Sequence, residues 1–380
     1  MQSGTSTFIF TLALASVCSP LKALKSGASP RVPVLHFVDT SPLSRSDYLT
    51  AGEWAQMDAA LDLAEQDFFR RYPTCRVDRT RIVKTHSDDI LYQTLHHLAE
   101  TAHPLLAVGF SNTNSCRIAL QATQHGPSWL LSIGASGVDL RKAHSNAYSL
   151  ANFWEKQWMK LKTSLTQTSC RPSHTIGVYD PRHALSALFG EAMEKQVGPA
   201  DLFRKVFEVS SAQPPPAVVH ALLDSECIVM ALNYASAEPF LSLFALSQKT
   251  QHIFGIGGWN YYGLELRNSV RKLPPYISLH IPTGWHSHAN PQSLAFTQRF
   301  RTYAHAQAQP IAAFVYDSWL VGLYHACFPN TPLHKIVITR TRDTPRLPLL
   351  KSYTGIRSTG NFESPLYMLT LSSLGERYDP

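Results

Sequence analysis

The sequence predicts an α/β protein built from two successive open units, each a parallel sheet with helices on both faces. Three observations carry this reading. Short apolar runs alternate with segments of helical periodicity along nearly the whole chain, the mark of β-α-β repeats. The alternation starts afresh near residue 151. The chain has 380 residues, which favours two domains at roughly 100 to 200 residues each.

The elements follow in order. Val32 to Val38 (VPVLHFV) reads as a strand, and Trp54, Met57, Leu61, Ala64 and Phe68 recur at helical spacing. Arg81 to Thr85 is a second strand, and Leu91, Leu95, Leu98 and Ala102 mark a second helix. Strands follow at Leu105 to Phe110, Trp129 to Ile133 and Ala147 to Leu150. The second unit opens with a helix whose stripe is Trp154, Trp158, Leu161 and Leu165. It continues with the strand Thr175 to Tyr179, a helix around Leu185, Leu188 and Met193, and strands near Val206, Val218, Ile228 and Ile253. Pro214-Pro215-Pro216 is a stiff connector, because three locked φ angles continue neither a helix nor a central strand. Leu273-Pro274-Pro275 and the loop Pro282 to Pro291 read as the passage out of this unit. A helix with Phe296, Phe300 and Tyr303, an apolar helix after Pro310 and a basic, Pro-rich stretch Arg340 to Pro348 complete the pattern.

Composition narrows the function classes. Hydrophobic residues make up 44% and charged residues 16%, which excludes a disordered or coiled-coil chain. The net charge is +7, yet the basic residues never form a run of five. That argues against a nucleic-acid tail and for mild attraction to anionic ligands or surfaces. Phe8 to Val17 is an apolar stretch too short to span a bilayer, followed by Leu21-Lys22-Ala23, and residues 1–23 read as a secretory signal peptide. Cys18 raises lipid attachment, but Val17 is bulky where a small residue normally precedes a modified cysteine. After removal of the leader five thiols remain, Cys75, Cys116, Cys170, Cys227 and Cys327, so at least one is unpaired. Cys227 and Cys327 sit in apolar runs and read as core residues, while a Cys75–Cys116 bridge is one pairing open in an oxidising compartment.

In open parallel sheets ligands bind beyond the carboxyl ends of strands. Ser111-Asn112-Thr113-Asn114-Ser115 follows the strand ending at Phe110 and opens a helix, so it either caps that helix or offers hydroxyls and N–H groups to an anion. Gly134-Ala135-Ser136-Gly137 is a second small-residue turn. Tyr179, Asn233-Tyr234 and Gly257-Gly258-Trp259-Asn260 end strands of the second unit and could supply aromatic faces. Enzyme signatures fail: Gly134 to Val138 lacks the final Gly of a nucleophile elbow, Gly255 to Asn260 lacks the third Gly of a dinucleotide fingerprint, and no Walker A sequence exists. No cofactor is expected. Among the 17 histidines there is no HExxH, and the loop pair His286 and His288 has no acid or thiol beside it, so no metal site is expected either.

The order of segments resembles the type I periplasmic solute-binding proteins of branched-chain amino-acid and amide ABC transport, over most of residues 31–380. The matching stretches are Asp39-Thr40-Ser41-Pro42-Leu43, Ala107-Val108-Gly109-Phe110-Ser111 and Ser132 to Leu140. Phe254 to Trp259, Val315-Tyr316-Asp317, Tyr353 to Ile356, Gly360-Asn361-Phe362 and Tyr367-Met368-Leu369 match further on. The resemblance implies two Rossmann-like lobes joined by three crossings, with lobe one over 31–150 and 279–357 and lobe two over 151–278 and 358–380. It implies a solute whose carboxylate rests on Ser111, Asn112, Ser115, Ala135 and Ser136, under Tyr179, Tyr234 and Trp259 of lobe two. An ABC permease is the implied partner. The family's acid for the ligand ammonium is missing, since Trp259 and Asn260 stand there, and a buried unpaired ammonium costs several kcal/mol. A zwitterion would need Asp39 or Glu238 instead; an organic acid or an amide fits equally. Tyr179-Asp180-Pro181 also replaces the family's Tyr-Gly. The alternative is an exported regulator of this fold that binds a sensor or cell-wall partner protein and no solute.

Overall fold

The computed structural model describes residues 32–39, 51–83, 87–101, 104–168, 170–198, 201–210, 214–338 and 347–379. The expected leader, Cys18 and most of the Arg340 to Pro348 stretch lie outside these residues.

The first lobe runs β1 (Val34–Asp39), α1 (Ala51–Arg71), β2 (Asp78–Val83), α2 (Asp88–Thr101), β3 (Leu105–Gly109), α3 (Thr113–Ala122), β4 (Ser128–Ser132), α4 (Leu140–Ala143) and β5 (Ala147–Ser149). Its five strands are all parallel in the order β2-β1-β3-β4-β5. Successive side chains of a strand point to opposite faces, so β1 sends Leu35 and Phe37 one way and Val38 the other. The first pair joins α1 in one buried cluster, and Val38 joins Leu91 and Leu95 of α2 in another.

The second lobe runs α5 (Trp154–Gln167), β6 (Thr175–Tyr179), α6 (Ala184–Glu194), β7 (Lys205–Glu208), α7 (Pro216–Asp224), β8 (Cys227–Ala231), α8 (Tyr234–Leu243), β9 (Gln251–Gly255), α9 (Gly263–Val270) and β10 (Ile277–Thr283). The chain then returns with α10 (Pro291–Ala304), α11 (Pro310–Cys327) and α12 (Leu333–Val337). α11 packs on the first sheet, buried almost from end to end, and α10 packs on α1. A small hairpin of β11 (Gly355–Ile356) and β12 (Phe362–Glu363) precedes the last strands, β13 (Tyr367–Ser372) and β14 (Gly375–Asp379). The second sheet has the order β14-β13-β10-β9-β8-β6-β7, in which β13 alone runs against the others, pairing antiparallel with both β10 and β14.

Several expectations are corrected. Val218 lies in a helix, because Pro216 takes the first helical position, where its missing N–H is no loss, and starts α7. The second strand begins three residues early, at Asp78, and residues 84–86 lie outside the described set. β10 pairs with β9 through His280 and with β13 through Thr283, so the chain leaves the second lobe at Gly284 and not near residue 279. Ser149 bridges Asn361 beside the first sheet and β13 belongs to the second, which places the last crossing at 363–367 and not at 357. Cys75 pairs with Cys327 and Cys170 with Cys227, leaving Cys116 buried and free. Apolar flanks concealed the two bridges, since a half-cystine packs like any small hydrophobe.

Candidate functional site

The carboxyl ends of the two sheets face a shared cavity of about 170 Å³. Ser111 to Asn114 after β3, and Ile133, Gly134 and Ser136 after β4, line it from the first lobe. His183 to Ser186 after β6, Asn233 and Tyr234 after β8, and Ile256, Gly257, Gly258 and Asn260 after β9 line it from the second. The floor is formed where the lobes join, by Ala151, Asn152, Gln157, Pro282, Gly284, Phe314, Lys351 and Leu366.

The first wall is set by backbone. Gly109 has φ of 134°, and a Cβ there would lie 2.1 Å from the Val38 carbonyl oxygen, so only glycine fits. Phe110 follows with φ of 56°, a strained left-handed conformation held by its N–H on Val38 O at 3.2 Å and by the Ser132 hydroxyl donating to its carbonyl at 2.7 Å. This twist turns Ser111 and its neighbours toward the cavity. Asn112 caps α3 by accepting from Ser115 N at 2.8 Å, and the Ser115 hydroxyl donates back to Asn112. Ser115 is thereby buried away from the cavity. The Ala135 N–H donates to Ser132 Oγ at 2.8 Å and its carbonyl accepts from Asn361, so this expected contact is also taken up inside the lobe. Ser136 differs: it lines the cavity, and its hydroxyl has no hydrogen-bond partner among the described residues.

The second wall is set by side-chain bulk. Tyr179 points away from the cavity, its hydroxyl lying 2.7 Å from Glu194 and 2.8 Å from Glu208. Burial and these two carboxylates push its pKa up. Trp259 is buried in the core, donating to Leu232 O at 2.8 Å and standing edge-on to Tyr234 at 6.0 Å. It supports the wall instead of covering a ligand. Tyr234 does line the cavity, with its hydroxyl 2.9 Å from Ser269. Asn260, only 2% exposed, donates through Nδ2 to Gly257 O at 2.9 Å and Pro282 O at 2.7 Å. Two carbonyl acceptors fix the amide's orientation and leave Oδ1 buried with no partner in the described structure. Asp180 is held by Arg182 outside the cavity; burial raises its carboxyl, but bonds from Arg182 win and keep it below the usual range.

The floor was missed in the sequence. Asn152 and Ser364 exchange two hydrogen bonds of 3.0 Å between the first and last crossings. Gln157 joins Asn152 O to the Gly257 N–H. Lys351, 5% exposed, donates from Nζ to Leu150 O at 2.6 Å and lies 4.8 Å above the Phe314 ring. Behind it Asp317 accepts from the N–H groups of Leu350 and Lys351 and from the Tyr353 hydroxyl. Burial lowers the lysine's pKa, an effect that the Asp317 charge partly offsets. Lys351 has no local signal: it follows the undescribed stretch and reaches the cavity only through the fold.

Neither acid considered for a zwitterion lines the cavity with a described side chain. Asp39 ends β1 with its side chain outside the described set, and Glu238 is exposed on α8. Glu238 and Glu53 of α1 instead act on Glu265 of α9, whose carboxyl is raised to about 7 by burial first and by those two charges next. Among the described residues no group of three or more His, Cys, Asp or Glu could hold a metal ion, and no helix is long and apolar enough to cross a membrane.

Neither a family description nor a curated protein matches the sequence. Solved structures do match. The branched-chain amino acid transporter substrate-binding protein LivJ of Streptococcus pneumoniae, in complex with isoleucine, has TM-score 0.69 at 13% identity, covering 92% of this chain and 99% of that one. The leucine-binding protein LivK of Thermotoga maritima has TM-score 0.68 at 10% identity, covering 92% and 98%. A solute-binding protein of an ABC transporter from Rhodopseudomonas palustris, in complex with 3,4-dihydroxybenzoic acid, has TM-score 0.67 at 10% identity, covering 91% and 95%. Two sheets, three crossings and a cavity at the facing strand ends thus give this chain the two-lobed fold of the type I periplasmic binding proteins.

Proposed function

We propose that this is an exported solute-binding protein that captures a small organic acid, amide or amino-acid-like molecule between its lobes and presents it to an ABC permease. The observation that carries the reading is the single cavity wall shared by loops after β3 and β4 on one side and after β6, β8 and β9 on the other. A molecule touching both lobes binds the closed form better, and that difference in affinity moves the hinge toward closure. No bond is made or broken. Similar folds in complex with isoleucine and with 3,4-dihydroxybenzoic acid support a solute of this size. The two disulfides support an oxidising compartment, and so export.

The test is thermal unfolding against a broad library of small acids, amides and amino acids. At a hundredfold excess over its dissociation constant a bound solute adds about 2.7 kcal/mol, which raises the midpoint by several degrees. A library in which no compound shifts the midpoint overturns solute capture and leaves a protein partner as the better reading.

A further inference from the structure

The charge of the cavity narrows the solute class, on the reading that the cavity captures a solute at all. Among the described lining residues the ionisable side chains are Lys351, His183 and the Tyr234 phenol, and none is a carboxylate. The Lys351 ammonium carries three donors, of which one is taken, by Leu150 O at 2.6 Å. Its tip sits between the cavity-lining residues Gly284 and Phe314; a Cβ built on Gly284 would lie 3.3 Å from Nζ. Asp317, the acid behind it, already accepts three hydrogen bonds and is not part of the lining. The other two donors have no hydrogen-bond partner among the described residues and face the Phe314 and Tyr353 rings, and a buried ammonium so placed favours an acceptor of opposite charge. An ammonium group entering the same cavity meets a positive charge and no described acid.

We propose that the solute is an organic anion, a carboxylic acid without an amino group, and that Lys351 at the hinge end of the cleft binds its carboxylate. The open Ser136 hydroxyl is the first-lobe group placed to share that anion. The orphaned Oδ1 of Asn260 marks where the second lobe would favour a neutral donor, such as a hydroxyl, on the solute.

The experiment uses matched probes of one shape: 4-methylpentanoate, its amide and leucine; and 4-hydroxybenzoate, its amide and tyrosine. Calorimetry and thermal shift are read on the whole mature protein. The expected result is binding of an acid at least tenfold tighter than its amide or amino acid. Lys351→Met should lose that preference and Lys351→Arg should keep part of it. Should Lys351→Met fail to fold, the acid-against-amide ratio on the unaltered protein decides alone. Amides or amino acids that bind as tightly as the acids overturn this inference while solute capture stands. An acid that binds Lys351→Met unchanged overturns the role of Lys351. Silence from every probe, with silence from the broad library, overturns both.

Discussion

In the first lobe the polar groups at the strand ends answer one another: Asn112 caps its own helix, Ser115 bonds back to it, and the Ala135 N–H rests on Ser132. In the second lobe the strand ends are shaped by packing, with Trp259 wedged under Tyr234 and Asn260 clamping Gly257 to Pro282. One wall is thus a rigid surface of small residues and turns, the other a surface of large side chains fixed from behind. The contrast separates shape from chemistry. Small-residue turns look like ligand contacts in a sequence, but most of their donors already serve the fold.

The largest test of this contrast is to cut each lobe's own covalent tie. Cys75 and Cys327 are 252 residues apart, and Cys170 and Cys227 are 57 apart. Chain-entropy arguments give losses of roughly 5 and 4 kcal/mol when the respective pair is replaced by serine. Hydrogen exchange should show protection falling first in α1 and α11 for one variant and first in β6 and β8 for the other. Uniform loss in both would mean that the lobes unfold as one body and that the contrast is only local.

Next in size, Asn260→Asp should destabilise by about 3 kcal/mol, because two buried carbonyls lose their donor and face a charge. Asn112→Ala should cost only about 1 kcal/mol, the usual effect of losing a helix cap. Denaturant titration of the two variants gives the ratio; equal losses would erase the difference between the walls.

The smallest effect lies where the lobes meet outside the cleft. The Glu265 carboxyl is raised to about 7, so the folded protein keeps a proton that the unfolded chain gives up nearer pH 4.5. Stability therefore falls as pH rises through that window. Glu265→Gln should add about 1 kcal/mol at pH 8, after allowing for solvent screening, and nothing at pH 4. A gain independent of pH would point to packing and not to repulsion from Glu53 and Glu238.

Much of the fold was legible, because periodicity is local: Trp54 to Phe68 and Trp154 to Leu165 show their buried stripes within one helix each. The site was legible only in position. Strand ends pointed to Ser111, Asn112, Ser136 and Tyr234, which all line the cavity. Tyr179 and Trp259 lie on the same loops but face inward, since one residue of strand register or about half a turn of helix reverses a side chain. Asn152, Gln157 and Lys351 carried no signal, because each acts through partners 100 or more residues away.

The lysine on the floor has a mechanical consequence. Nζ holds the first crossing through Leu150 O and abuts the second at Gly284, while Asn152 ties the first crossing to the third through Ser364. Points near a pivot travel least when two jaws swing. A molecule anchored there would keep its grip through the whole stroke, and only contacts far out along the jaws would change between the gaping and the shut forms. Loading would start at the fulcrum, with the lips sealing last.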